Sequence, residues 1–595
     1  MTKNPFEPKF GGRTSSVVEI TGKTGNEQQF NMGGEISSIS ANVFTEIPLN
    51  QKGSILFAAR RSFTEIIKSQ LYQDIFDMAG NEKPAAQGNL SGRRNSNQNA
   101  EPVFHFYDLN LKGTWKPSEK DVISVSFYAG KDKLDNTIDR QSTGRFMQGS
   151  GSYFNVNTTD LTQWGNWGVS AKWGRKLNAR LYSNSVLSFS NFFSDRDRAT
   201  TIFKSDSEQD QQNFGIIQNN NVDELSFRND WEYELNTSHR LGFGVNILRN
   251  RISFNNEVND SSAFQIDNEG IVSTAYAQDK WALSKKLKLI GGLRLTFFDQ
   301  TEQFYLEPRI QALYQLTASL TIKGAWGTYN QFINRSVQED IQNGSQEIWL
   351  LSDNKLIPVQ NATHYILGVS YDVQNWLFDI EAYYKDMQGL SELNTRIGSR
   401  QNNPDGQQDI YANSFFEGTG YSKGIEFLIQ RKIGKYTGWI GYTLSKVIHS
   451  FPDISEENFP ALHDQTHELK LVNCYEWRRW SFAATFIYGA GKPYTAPEGG
   501  YYLNLPDGTR KYYITIGEKN ASRLPDYNRL DLSATYNFKL GKAPASFGLS
   551  VFNVYNRSNI WYKDYTIDTQ NEIFEAVDVT YLGVTPSLFF SVRLK

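Results

Sequence analysis

The stretch "RLDLSATYNFKL", residues 529–540, alternates apolar and polar side chains along its whole length. Even positions from Leu530 to Leu540 are apolar or aromatic, and odd positions from Arg529 to Lys539 are polar or charged. Because successive side chains of a β-strand point to opposite faces, this pattern predicts a strand with one apolar face. Its 12 residues exceed the length of about five or six that is typical of globular sheets. They match the roughly 9–11 residues that a tilted strand needs to cross a bilayer.

The same alternation recurs through the chain. At 121–129 and at 287–297 an apolar face alternates with a polar one, and Lys288 and Arg294 lie on the polar face of the second stretch. Aromatic residues make up 14% of the chain, whereas the mean hydropathy is only −0.53. Both values suit a transmembrane barrel, because only alternate side chains of such a barrel face lipid.

Short and long connections alternate along the chain between these stretches. Ten short turns are predicted at 48–53, 116–120, 174–178, 235–239, 284–286, 316–319, 372–375, 432–436, 477–479 and 540–543. Long polar loops are predicted at 65–103, 135–161, 194–224, 251–270, 331–362, 388–418, 449–464, 491–527 and 557–582, with brief links near Ser37 and at 299–305. These connections predict an all-β fold, a transmembrane antiparallel β-barrel of about 22 strands over residues 27–595. Short turns face the periplasm in such barrels, and long loops face outside.

Composition excludes other classes of protein. A net charge of −3, from 61 basic and 64 acidic residues, argues against a nucleic-acid partner. The single cysteine, Cys474, excludes an internal disulfide framework. Residues 1–5 are not followed by the apolar core of a signal peptide, so we expect a mature fragment or a truncated frame. A barrel of this size has a lumen too wide for its own side chains to fill, and such lumens are normally plugged.

Several segments, in order, resemble the TonB-dependent outer-membrane receptors, most closely the Bacteroidota-type members. "FGGRTSSVVEITGKTG" (10–25) is similar to the last strand of their plug domain, and "GSILFAARRSFTEII" (53–67) to their third barrel strand. Further segments follow in family order: "AYAQDKWALSKKLKLIGGLRLTFF" (275–298), "LEPRIQALYQLTASLTIKGAWGTYNQF" (306–332), "FDIEAYYKDMQGL" (378–390), "YSKGIEFLIQRKIGKYTGWIGYTLSK" (421–446), "FPALHDQTHEL" (459–469), "RLPDYNRLDLSATYNF" (523–538), "FNVYNRSNIWY" (552–562) and "PSLFFSVRL" (586–594). The resemblance therefore covers residues from about 10 to the end.

The resemblance implies a function. Such receptors bind a scarce nutrient on their loops and plug, and energy delivered through TonB then opens a path through the lumen. The resemblance also implies that the protein lies in the outer membrane of a Gram-negative bacterium, where it contacts lipid and the barrel-assembly machinery. The substrate would be a siderophore, cofactor, glycan or peptide, and a surface lipoprotein partner occurs in the glycan- and peptide-importing branch. No cofactor, metal or enzymatic activity is implied.

Two departures from the family pattern matter. Residues 1–26 match only the end of a plug and its linker, so TonB would act through a plug missing from this sequence. Family chains also usually end on an outward aromatic residue, whereas this sequence stops at Lys595. These departures leave open a plug-less barrel that serves as a scaffold or anchor in a surface complex. A soluble all-β adhesin is a third interpretation.

Two groups of residues are candidates for contacts in the lumen and loops. Arg60 and Arg61 are neighbours on a strand, so one of them should point into the lumen. The family resemblance implies that such an arginine pairs with acids of the plug, a role that we favour over substrate contact. Tyr501, Tyr502, Tyr512 and Tyr513 lie in a predicted outer loop, beyond the interfacial aromatic girdle, and are the ligand candidates.

Other motifs have simpler interpretations. "TGKTG" (21–25) lacks the first glycine of a phosphate loop, since Val17 occupies that position. His463 and His467 of "HDQTH" enter a strand, where they would lie about 13 Å apart, so a hydrogen-bonding cluster at the rim is favoured over a metal site. The loop stretches 338–347 and 402–409 leave calcium open, although neither fits the EF-hand spacing. The basic stretch 91–102 is expected to be a solvated loop.

Overall fold

The computed structural model describes residues 7–64, 103–135, 137–142, 154–204, 207–258, 261–340, 344–393, 415–504, 510–568 and 573–594. Within these ranges the chain forms 32 strands, and no helix there is long and apolar enough to span a membrane. The strands are β1 (Asn31–Ser37), β2 (Ser40–Pro48), β3 (Gly53–Ser62), β4 (Val103–Ser118), β5 (Asp121–Asp135), β6 (Ile138–Ser142), β7 (Phe154–Lys176), β8 (Leu181–Lys204), β9 (Ser207–Glu234), β10 (His239–Val258), β11 (Ser261–Ala282), β12 (Leu287–Phe298), β13 (Gln303–Gln315), β14 (Leu320–Gln331), β15 (Ile333–Asp340), β16 (Gly344–Leu351), β17 (Gln360–Val373), β18 (Trp376–Leu393), β19 (Phe415–Arg431), β20 (Tyr436–Ser450), β21 (Phe459–Pro460), β22 (His467–Trp477), β23 (Trp480–Gly489), β24 (Pro493–Tyr494), β25 (Pro497–Asn504), β26 (Arg510–Ile516), β27 (Ser522–Arg523), β28 (Tyr527–Leu540), β29 (Ala543–Phe552), β30 (Ile560–Asp568), β31 (Ile573–Thr580) and β32 (Thr585–Leu594).

Twenty-two of these strands form a closed antiparallel ring. Each pairs with the next barrel strand along the chain, and β1 closes the ring on β32, with Gly34 opposite Val592 and Ile36 opposite Phe590. The remaining strands lie outside this cycle: β6 and β21 extend the edges of β7 and β20, while β15–β16, β24–β27, β25–β26 and β30–β31 are two-stranded sheets within the long connections. The predicted barrel of 22 strands is therefore confirmed.

The apolar faces of the strands point outward. Leu532 and Leu540, from the stretch that first indicated the fold, are 42% and 59% exposed. Leu293 and Leu295 of β12 are also exposed, whereas Arg294 between them is buried on the lumenal side. Exposed leucine at alternate positions is costly in water and favourable in lipid, so the outer surface is a membrane-facing belt.

The ten predicted short turns all join consecutive barrel strands, but three predicted outer loops are wrong in part. Strands β7 to β11 continue through most of 154–161, 194–224 and 251–270, which the sequence pattern assigned to loops. The outward face there is polar because it lies beyond the lipid. Arg249 and Arg251 of β10 pair across the ladder with Glu269 and Asp267, at 2.6 and 2.8 Å. Backbone pairing persists although the apolar alternation has stopped.

The connection between β14 and β17 folds against the inner wall of these extended strands. Ile348 and Leu350 of β16 pack with Phe254 of β10 and with Ile357, and all four side chains are buried. A neighbouring cluster joins Ile333 and Leu351 to Ile252. The buried apolar core therefore lies inside the barrel, where an outer hairpin covers the wall.

Candidate functional site

Residues 7–30, the N-terminal segment, contact the inner wall of the barrel, and no strand of the structure falls within them. The resemblance led us to expect the stretch 10–25 to form an exit strand. Val17 makes a single β-bridge, but the stretch forms no longer ladder among the described residues, and side chains of the barrel wall bind its backbone. Three wall residues make these contacts, Arg294, Arg309 and His364. Together with Glu307, which pairs with both arginines, they are called the lumenal clamp below.

Arg309 of β13 is the centre of the clamp. Its Nη1 donates to the backbone oxygens of Glu7 and Phe10, at 3.0 and 2.6 Å. Its Nη2 donates to Glu307 Oε2 at 2.7 Å, and its guanidinium lies 4.4 Å from the ring centroid of Tyr329. One planar fork thus joins the chain in the lumen to a carboxylate of the wall, a geometry to which arginine is suited.

Arg294 of β12 approaches the same carboxylate. Its Nε lies 3.4 Å from Glu307 Oε2, while Nη1 donates to the Pro8 oxygen and Nη2 to Thr274 Oγ1, at 3.2 and 3.1 Å. Arg294, Glu307 and Arg309 are all at least 96% buried. Two guanidinium groups share one carboxylate, so the backbone oxygens of the N-terminal segment supply acceptors that the wall alone does not.

Glu7 is held by a second pair of wall residues. Lys280 Nζ of β11 donates to Glu7 Oε1 at 2.5 Å, and Gln278 Nε2 donates to Oε2 at 3.3 Å. Burial alone would raise the pKa of the Glu7 carboxyl, but the hydrogen bond and positive charge of Lys280 outweigh it and hold the pKa below its ordinary value. Glu7 is therefore bound as a carboxylate.

His364 of β17 binds the segment further along. Its Nε2 lies 2.9 Å from the Thr14 oxygen, which makes that nitrogen the donor and fixes the tautomer. The Thr14 N–H donates to Gln331 Oε1 at 3.2 Å. The His364 ring is tilted by 36° against the ring of Tyr329, with centroids 4.5 Å apart, and Tyr329 in turn lies under Arg309. Tyr329 thus joins the two halves of the clamp.

The glycine pair of "FGGR" fits this contact. A Cβ added to Gly11 would lie 2.2 Å from Arg294 Nε, so only glycine lets the guanidinium lie against the backbone. Gly12 has a φ of +70°, in the left-handed region that glycine adopts without strain. The two glycines therefore allow the backbone of the N-terminal segment to lie close against Arg294.

The other end of the segment is anchored to β2 and β4. Lys23 pairs with Glu46, a residue that is 3% exposed. Lys112 Nζ donates to the Gly22 oxygen, and Lys116 pairs with Glu27, both at 2.7 Å. The N-terminal segment is thus held at two separate parts of the ring, a geometry suited to retaining a chain inside a pore. Among the described residues no group of three or more His, Cys, Asp or Glu is placed to hold a metal ion.

Arg60 and Arg61 lie on opposite faces of β3. Arg60 shares the lumenal face with Asp108 of β4, to which its Nε donates at 2.7 Å, and it lies 5.0 Å from the ring of Phe106. Arg61 is opposite Tyr107, which belongs to the exposed outer face. Within the described ranges the ion pair of Arg60 is with the wall itself, so pairing with a plug acid stays a prediction.

The four candidate tyrosines come together on the β25–β26 hairpin. Tyr501 is opposite Tyr513, and Tyr502 is opposite Tyr512. Tyr501 is 52% exposed, whereas the side chains of the other three lie outside the described part of the structure. Their role as ligand contacts stays a prediction.

The remaining motifs have structural roles or lie outside the described residues. Asp464 of "HDQTH" accepts from the Val447 N–H at 2.7 Å and pairs with Arg523 at 2.5 Å. His467 bonds to Tyr442 instead, at 2.9 Å. The stretches 91–102 and 402–409 lie outside the described residues, as do the side chains of 338–347.

The clamp residues were not identified from the sequence. Arg294 follows the alternation of β12, and Glu307 and Arg309 occupy alternate positions of "LEPRIQAL". A water-filled lumen normally carries charged side chains at such positions. Their register across neighbouring strands, which a single sequence does not show, distinguishes these residues from other lumenal charges.

Comparison with known proteins agrees with this architecture. Residues 86–556 match the family described as "TonB dependent receptor-like, beta-barrel". Comparison of the sequence with curated proteins gives no match.

Solved structures of similar fold include the following three proteins. The ferripyoverdine receptor of Pseudomonas aeruginosa is 12% identical, with 98% of this chain and 74% of that chain covered and a TM-score of 0.61. The transporter YddB from Escherichia coli is 10% identical, with 100% and 84% covered and a TM-score of 0.62. BauA, the ferric preacinetobactin receptor from Acinetobacter baumannii, is 11% identical, with 96% and 81% covered and a TM-score of 0.57. At these identities the likeness shows a shared fold. The family match covers most of the chain, so this protein belongs to the TonB-dependent receptor β-barrel family of the Gram-negative outer membrane.

Proposed function

We propose that this barrel is the passage of a TonB-energised importer for a scarce extracellular nutrient, and that the lumenal clamp holds the domain that closes it. The observation that carries the proposal is the fork of Arg309, which binds the oxygens of Glu7 and Phe10 while it pairs with Glu307. A wall that binds backbone in this way is suited to retaining an inserted chain.

The N-terminal segment itself supports a larger lumenal domain. Val18 and Ile20 are 58% and 89% exposed although they lie between the two anchors. Apolar side chains in a water-filled lumen are unfavourable, at about 25 cal/mol for each Å² exposed. We therefore infer that residues 10–25 contribute a strand to a plug, supplied by a longer chain or by a partner, which covers these side chains and through which TonB acts.

A ferric siderophore is the substrate class that we propose to test first. Two of the structures compared above are receptors for ferripyoverdine and ferric preacinetobactin. Cofactors, glycans and peptides are the other nutrients to be compared. Extracellular contacts would come from the outer hairpins, with Tyr501 as the exposed candidate.

Uptake by whole cells tests this function. The protein would be produced, together with the plug inferred above, in a host that lacks its own ferric siderophore receptors. Radioactive iron would be supplied with pyoverdine, preacinetobactin or a catecholate. We expect uptake of at least one complex that stops when TonB is deleted or the proton gradient is collapsed. Uptake that persists without TonB would contradict an energised importer. Uptake of a glycan, cobalamin or peptide alone would be consistent with an importer. It would exclude a ferric siderophore as the substrate.

A further inference from the structure

A half-enclosed niche of about 260 Å³ lies on the lumenal wall, where β3, β4, β5, β7 and β8 are neighbours. Cross-strand register brings Phe106, Asp132 and Trp164 directly opposite one another on β4, β5 and β7. Asp108, two positions from Phe106, accepts from Arg60 on the lumenal face. Since alternate residues of a strand share a face, the row of three also points into the lumen.

The niche carries a carboxylate that has no counter-ion in the described part of the chain. Arg60 is engaged by Asp108, with Nη2 2.6 Å from Oδ2. Among the described residues no hydrogen bond or ion pair occupies Asp132. Lys131 precedes Asp132 but points to the opposite face of β5, where its Nζ lies 5.7 Å from the ring centroid of Phe193. The niche therefore has one net negative charge.

Aromatic side chains surround this carboxylate. Asp132 lies between Phe106 and Trp164 in the row, and Trp164 is 37% exposed to the lumen. Tyr128 of β5 is 41% exposed and leans along its own strand over Gly130. A Cβ added to Gly130 would lie 2.6 Å from the Tyr128 hydroxyl oxygen, so the glycine makes room for the phenol ring.

The inner hairpin bounds the niche on its far side. Phe192 of β8 lines the niche and contacts Trp349 of β16, with ring centroids 6.4 Å apart. The volume of the niche is just below the range of ligand pockets, about 300–1,000 Å³. The niche is therefore suited to the head group of a ligand rather than to a whole ligand.

This combination of side chains selects for positive charge. The faces of aromatic rings attract cations, and the Asp132 carboxylate does so as well. An anion would be repelled by that carboxylate, and a neutral apolar group would desolvate it without giving it a partner. An organic ammonium group has both the charge and the apolar surface that the niche complements.

We propose that Phe106, Tyr128, Asp132 and Trp164 form a cation niche that binds the ammonium head of a small organic molecule in the lumen. This site is argued from the barrel wall alone and does not depend on import. In the importer proposed above, it would favour nutrients that carry such a head.

Saturation-transfer NMR with choline tests the proposal on the purified barrel, solubilised in an uncharged maltoside detergent. Choline carries a quaternary ammonium group. Dimethylbutanol, in which carbon replaces the nitrogen, is its neutral isostere. We expect wild type to bind choline about tenfold more tightly than the alcohol, through the aromatic faces and the carboxylate together.

Two variants and two matched controls locate the binding. Asp132→Asn should weaken choline binding about tenfold, and Trp164→Leu should weaken it about threefold or more. Glu119→Gln removes the same charge from the exposed turn between β4 and β5. Trp167→Leu removes an indole from the outer face of the strand that carries Trp164. Both controls should bind choline like wild type.

Several outcomes would overturn the cation niche. Equal binding of choline and dimethylbutanol by wild type would show an apolar crevice, and absence of choline binding would exclude the site. This comparison needs no variant, so it is decisive even if Asp132→Asn folds poorly. Equal choline binding by Asp132→Asn and wild type, or equal losses in Trp164→Leu and Trp167→Leu, would also contradict the proposal. Loss of choline binding once the plug inferred above is supplied would assign the niche to a plug side chain instead.

Discussion

Glu307 and Arg309 lie two positions apart on β13 and point to the same side, where Arg309 Nη2 donates to Glu307 Oε2 at 2.7 Å. The Glu307 carboxylate also accepts from the Asn330 N–H at 2.7 Å and lies 3.4 Å from Arg294 Nε. One acid therefore organises two arginines, and the arginines bind the N-terminal segment. The following predictions test this dependence.

Replacement of Glu307 by glutamine should destabilise the barrel strongly. Glutamine keeps an acceptor for Asn330 but leaves Arg294 and Arg309 as buried charges without a counter-ion. Breaking a buried ion pair in this way costs about 3–5 kcal/mol. The temperature at which the folded band converts to the unfolded band in a heat-modifiability gel should fall. Glu476→Gln, at an exposed position, is the control and should leave this conversion temperature unchanged. An equal conversion temperature for the two variants would show that the cluster of Glu307, Arg294 and Arg309 is not buried and paired.

Replacement of Arg309 by lysine should release the N-terminal segment without removing the charge. A single ammonium group lacks the planar fork that reaches the oxygens of Glu7 and Phe10 and the Glu307 carboxylate together. We expect faster hydrogen exchange over residues 7–14, because each hydrogen bond to a charged group contributes about 1.5–3 kcal/mol. Arg251→Lys, on the outer face, controls for the substitution. Unchanged exchange in Arg309→Lys would mean that Arg309 does not hold the segment.

Alanine at Gly11 should weaken the clamp, whereas alanine at Gly22 should not. The added methyl of Gly11→Ala would meet Arg294 Nε at 2.2 Å, but a Cβ at Gly22 meets nothing within 4 Å. Because Arg294 is itself buried and bonded, it has little room to move. Limited proteolysis of residues 7–14 should accelerate in Gly11→Ala alone. Equal cleavage of the two variants would contradict the close approach.

The anchor at Glu7 should fail in acid. Its pKa is lower in the folded protein than in the unfolded chain, so its contribution is complete above the unfolded pKa, about 4.3. That contribution is lost as the pH falls through the lower folded pKa. Proteolysis or exchange of residues 7–14 should therefore rise below about pH 4. Glu7→Gln should flatten this dependence at low pH, and an identical acid profile in the variant would assign the effect to other groups.

The sequence alone predicts the barrel because lipid imposes a simple rule on every spanning strand. Leu532 and Leu540 face outward as their alternation requires, and the ten short turns follow from the strand ends. The apolar alternation ends where the strands leave the lipid. The strands around Arg249 and Arg251 therefore continue through a stretch whose sequence pattern predicts a loop. The contacts of Arg294 and Arg309 could not be predicted for a related reason. Charged residues are common at lumenal positions, and only the register of β12 against β13 brings these two to one carboxylate.

Cross-linking of the N-terminal segment to the wall tests the central claim most directly. In a Cys474→Ser background, Thr14→Cys is combined with Gln331→Cys, since the Thr14 N–H donates to the Gln331 side chain at 3.2 Å. The control combines Thr14→Cys with Ser126→Cys on β5. Treatment of outer membranes with a short thiol cross-linker should join the first pair in most molecules and the control pair in few. Failure of the first pair to cross-link, or equal yields for both pairs, would contradict a segment held by the lumenal clamp.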